Sequence, residues 1–81
     1  MNIYLISQPV NKVAWDNYDS AVVCAPDEYT ARRIDPLGKK ELIEWRERKD
    51  YWCAPVNLKC KLIGQADPSM QQGVVCASYN S

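Results

Sequence analysis

The chain has 81 residues, 47% of them hydrophobic and 25% charged, the composition of a globular domain near the lower size limit for folding on a single core. Ten basic and ten acidic side chains cancel, which argues against a dedicated nucleic-acid binder and against attraction to anionic membranes. Histidine is missing altogether, so Cys-His and Ser-His-Asp catalytic arrangements are excluded.

The opening MNIYLISQPVNK has no basic n-region, and its apolar run is too short for a signal peptide. No stretch approaches the roughly 18 apolar residues of a membrane span. The expectation is a cytoplasmic protein with no membrane partner and reduced thiols. Residues 2–8, NIYLISQ, alternate Ile3, Leu5 and Ser7 against Tyr4 and Ile6 and predict a strand that Pro9 ends. After a polar connection over 9–19, SAVVCA at 20–25 predicts a second strand, buried on both faces and therefore central.

Asp27 is a good N-cap for a short helix in DEYTARRI, with Ala31 and Ile34 on the face that packs against the sheet. Arg32 and Arg33 fall where the helix dipole favours cations, so capping explains them better than anion binding. Asp35-Pro36 stops the helix. Residues 39–50, KKELIEWRERKD, carry strong helix formers and a Glu44–Arg48 pair in the favourable order. Their apolar stripe of Leu42, Ile43 and Trp45 is narrow, which predicts a surface helix. VNLKCKLI at 56–63 predicts a strand with Val56, Leu58, Cys60 and Leu62 inward and Asn57, Lys59 and Lys61 toward water. Trp52 is expected at the edge of the core before it. VVCASY at 74–79 predicts the last strand.

The fold class expected is therefore a small α/β domain of two-layer α+β type spanning 1–81, in the order β-β-α-(α)-β-β. It has a four-stranded mixed sheet, one helix packed on a face, and an inserted surface helix and loop over 38–52. The second and third strands are expected to pair in parallel through a crossover, and the first with the second and third with the fourth to pair antiparallel. Cys24, Cys60 and Cys76 sit in apolar strand patterns and read as core packing, whereas Cys53 reads as partly exposed. Their wide spacing, without a CxxC pair or a histidine, gives no zinc site, and no cofactor is implied.

The quoted segments IYLISQ, YDSAVVCA, ARRIDP, KLIGQAD and GVVCASYN together resemble a family of short uncharacterised bacteriophage and prophage proteins. The resemblance covers most of the chain apart from KKELIEWRERKD. It implies a phage or prophage origin and a compact α/β fold, and it carries no catalytic or binding residue with it. That context favours binding roles, such as an anti-CRISPR-like block on a host defence protein or a sponge for a signalling nucleotide.

The best binding candidate is WDNYD, where Trp15, Asp16, Tyr18 and Asp19 combine aromatic contact area with carboxylates for a basic partner. The competing reading has Trp15 or Tyr18 capping the core while Asp16 and Asp19 shape the turn. A catalytic pair of Asp16 and Asp19 lacks a desolvating cleft, so no enzyme is expected. Trp45 and Arg48 form a second candidate contact within a basic and aromatic cluster. Glu41, Glu44, Glu47 and Asp50 neutralise that cluster against nucleic acid. The function expected is a non-enzymatic inhibitor of a host protein in the host cytosol, an antiviral defence component foremost. The alternative is a nucleotide sponge, which would need a homodimer to build its pocket.

Overall fold

A computed structural model describes residues 1–9, 17–43 and 52–80. Their elements are β1 (Asn2–Ser7), β2 (Asn17–Ala25), α1 (Glu28–Ala31), a 3-10 turn (Pro55–Asn57), β3 (Lys59–Gln65) and β4 (Gly73–Asn80). The strands form one sheet in the order β3-β1-β2-β4, and every neighbouring pair is antiparallel.

The expected antiparallel pair of β1 and β2 is present, with Tyr4 opposite Val23 and Ile6 opposite Ala21. The mixed sheet is not. β2 and β3 do run in the same direction, but β1 lies between them, so no parallel ladder forms. Nor do β3 and β4 pair; they occupy opposite edges. The connection over 66–72 is long enough to explain this, since eight Cα steps reach up to about 26 Å and three strand spacings need about 14 Å. Its start is held by Ala66 N–H donating to the Met1 carbonyl at 2.9 Å, one bond beyond the β1–β3 ladder. Asp67 Oδ1 then accepts from Ser69 N–H at 2.9 Å, an Asx turn. Gly73 enters β4 at φ +147°, a conformation side chains resist.

One face of the sheet carries the core. Tyr4, Ile6, Ala21, Val23 and Ala25 are buried there against Ala31 and Ile34, with Ile43, Trp52, Cys53 and Leu58 completing the cluster. Ala31 and Ile34 thus occupy the positions their spacing predicts, and Trp52 enters the core as expected. Each large apolar side chain removed from water contributes about 1.5–3 kcal/mol. The central placing of β2 matches its apolar run, and Cys24 is fully buried in it.

Three expectations are corrected. Residues 39–43, the described start of the expected second helix, are not helical, and Ile43 is buried in the core at 2% exposure. Its N–H donates to the Arg33 carbonyl at 2.7 Å, an anchor that overrides the helix propensity of Lys39–Leu42. The inward face expected of 56–63 dissolves as well. Pro55 opens a 3-10 turn that turns Val56 outward, and Leu62 is exposed on the edge strand, leaving Leu58 buried and Cys60 half-buried. The cysteines differ as well: Cys53 belongs to the core, while Cys76 is exposed on the edge strand β4. Among the described residues no helix is long and apolar enough to cross a membrane.

Candidate binding surface

α1 begins where Asp27, in extended conformation, accepts a hydrogen bond from Thr30 N–H at 2.8 Å. Bonding of the ionised carboxylate to Thr30 holds the Asp27 carboxyl below its ordinary range. The helix is only one turn long, and Arg33 N–H to the Thr30 carbonyl at 3.0 Å tightens its end. Asp35 Oδ1 accepts from Leu37 N–H at 2.8 Å as the chain turns away before Pro36.

The two adjacent arginines do different work. Arg32 Nη1 donates to the carbonyls of Leu58 and, at 3.4 Å, Pro55, and its Nε lies 3.4 Å from Glu28 Oε2. It ties α1 to the chain entering β3. Arg33 bends outward over α1, where Nη1 donates to the Tyr29 carbonyl at 2.8 Å and the guanidinium carbon sits 3.6 Å from the Tyr29 ring centroid. Capping of a helix carbonyl therefore holds for Arg33, whereas Arg32 serves carbonyls of a different segment. The Arg33 Nε is buried and has no partner among the described residues.

Between α1 and the 3-10 turn runs a groove of about 460 Å³ lined by Glu28, Tyr29, Arg32, Arg33, Pro55 and Val56. Tyr29 is 64% exposed and Val56 70%, the two most open of the exposed large hydrophobic residues described. Cys60 on nearby β3 offers no nucleophile here: burial, and then the Glu28 carboxylate, push its thiol up, so it stays protonated at neutral pH. The surface offers an aromatic ring, an aliphatic wall, two guanidinium groups and one carboxylate. The Glu28 carboxylate is already paired with Arg32. Among the described residues there is also no cluster of three His, Cys, Asp or Glu side chains fit to hold a metal ion.

Of the residues singled out in the sequence, Trp15, Asp16, Trp45 and Arg48 lie outside the described residues. Tyr18 and Asp19 stand on β2. Tyr18 is half-buried against the core cluster, and its carbonyl accepts from Gln8 Nε2 at 2.5 Å. Asp19 sits where the β2–β4 register shifts, its carbonyl accepting from Gln8 N–H at 3.0 Å and its Oδ1 from Ser20 Oγ at 3.2 Å. Tyr29 and Val56 were not singled out. Tyr29 was within reach: two residues before Ala31 is about 200° round a helix, so a sheet-facing Ala31 turns Tyr29 to solvent. Val56 was hidden by the strand-like alternation that the 3-10 turn breaks. No protein-family model matches the chain, and no curated protein or solved structure is significantly similar to it.

Proposed function

We propose that this chain is a small non-enzymatic accessory protein of a bacteriophage or prophage that binds and inhibits a host protein. The target class is an antiviral defence component, as for anti-CRISPR proteins. The origin rests on the resemblance of IYLISQ, YDSAVVCA, ARRIDP, KLIGQAD and GVVCASYN to phage and prophage proteins. The binding role rests on one observation, the exposed Tyr29 and Val56 lining the groove in which Arg33 is already fixed. Tyrosine and arginine are the side chains that most often dominate protein interfaces. A ring already held by a stacked guanidinium gives up little further freedom on docking. Trp15, Asp16, Tyr18 and Asp19, with Trp45 and Arg48, remain in this proposal as further contacts. A nucleotide sponge is less well served, since Arg33 already covers one face of the Tyr29 ring that a base would stack on.

The test is phage restriction in cells that carry a defence system and express the chain. Wild type restores plating of a restricted phage, and the Tyr29→Ala, Val56→Ser double variant does not. Failure of the wild type against a broad panel of defence systems overturns the inhibitor reading. A rise in Tm on adding a signalling nucleotide would replace it with the sponge.

A further inference from the structure

The two edges of the sheet differ in chemistry. β3 carries Lys59 and Lys61, and lysines on an edge strand keep it from pairing with another chain. β4 runs GVVCASYN from Gly73 to Asn80 with neither charge nor proline. Val75 is 49% exposed, Cys76, Ala77 and Ser78 are exposed too, and α1 packs on β1, β2 and β3. The register shift against β2 sets Val75 apart, but from Cys76 to Asn80 no residue of β4 is skipped. The Val75 bulge, with Lys39 and Lys40 beside Gly73 and Val74, guards the start of the strand, so the outward backbone N–H and C=O groups that lack a charged or proline neighbour on the strand are those from Cys76 onward.

We propose that this edge pairs antiparallel with β4 of a second copy of the chain, joining two four-stranded sheets across a two-fold axis. The charges select the occupant. An uncharged strand meets its own copy without like-charge repulsion, and the whole chain has a net charge of zero. The same pairing through β3 would line one seam with Lys59 and Lys61 of both copies, the edge charge that discourages such pairing. An axis perpendicular to the sheet sets one residue opposite itself, and at the midpoint of β4 that residue is Cys76 or Ala77. Either register puts the two Cys76 Cα atoms on one face, directly opposite or diagonal, within about 8 Å. The dimer is independent of the host-protein reading and stands or falls without it.

Sedimentation of the full chain over a concentration series reads the dimer, and a short bis-thiol cross-linker reads its geometry. Wild type dimerises and is cross-linked through Cys76, because Cys24 and Cys53 are buried and Cys60 lies half-buried on the opposite edge strand. Ser78→Lys, which gives β4 the charge β3 already has, shifts the dissociation constant at least tenfold toward monomer. Lys61→Ser leaves the constant unchanged. The Cys76 cross-link in wild type stands even where Ser78→Lys folds poorly. A wild type that stays monomeric at high concentration overturns the proposal, as does a dimer that cross-links through Cys60 or is indifferent to Ser78→Lys.

Discussion

The Arg33 guanidinium carbon lies 3.6 Å from the centroid of the Tyr29 ring while Nη1 of the same side chain donates to the Tyr29 carbonyl. One residue thereby fixes both the ring and the turn that carries it. At an exposed site such stacking is worth about 0.5–1 kcal/mol, so Tyr29→Ala costs little in urea unfolding. In binding it removes an anchor, for which a loss of about 2 kcal/mol, roughly 30-fold in Kd, is expected. A stability loss as large as the binding loss would mean that the ring holds the fold and not a partner.

Arg32 has the opposite balance. Its side chain supplies donors to the Pro55 and Leu58 carbonyls, so Arg32→Met leaves two acceptors without that donor and lowers stability by about 1–3 kcal/mol. Glu28→Gln breaks only the exposed ion pair with Arg32 and costs less than about 1 kcal/mol. Chemical denaturation of the two variants separates these outcomes, and equal losses would assign the role to the ion pair.

Ile43 and Leu42 are neighbours with different surroundings, at 2% and 38% exposure. Ile43→Ala opens a cavity in the core and costs about 2–5 kcal/mol, whereas Leu42→Ala costs well under half of that. If both were equally mild, the segment after Gly38 would be peripheral, as its sequence suggests.

That contrast marks how much the sequence discloses. The pairing of β1 with β2, the burial of SAVVCA, the Asp27 cap and the inward Ala31 and Ile34 follow from local rules, because each depends on residues near in the chain. The positions of Ile43 and Cys53 do not: Ile43 is set by a bond to the Arg33 carbonyl and Cys53 by its place in the core cluster. Val56 turns on a local signal, the 3-10 turn that Pro55 opens, which the strand-like alternation of 56–63 masks. The edge strands mislead in another way: an alternating pattern predicts a buried face, yet a helix of one turn spans only about 6 Å and leaves most of β3 and β4 open. Tyr29 alone was implied by helix geometry.

Asp27 gives the fold a pH dependence whose sign is fixed. Its carboxyl is held below the ordinary value of 3.8 by hydrogen bonds from Thr30, so the folded state favours the ionised form. Its stabilisation is fully present above that ordinary value and is lost as pH falls through the lowered one. Asp27→Ala therefore lowers Tm at neutral pH and has no such effect in strong acid, whereas Asp27→Asn keeps most of the cap throughout. Thermal melts of the three proteins across the acid range check this. A deficit in Asp27→Ala that persists unchanged at the lowest pH would assign the effect to something other than the carboxylate.

Docking of a host protein on the proposed Tyr29–Val56 surface is open to quantitative capture. Immobilised wild type, the Tyr29→Ala, Val56→Ser double variant and an Asp67→Ala control, altered at the far connection between β3 and β4, are exposed to the same bacterial lysate. Retained proteins are then counted by mass spectrometry. The expected result is one protein retained stoichiometrically by wild type and by Asp67→Ala and lost from the double variant, with its activity inhibited on adding back the wild-type chain. Equal retention by all three, with every variant folded, would contradict it.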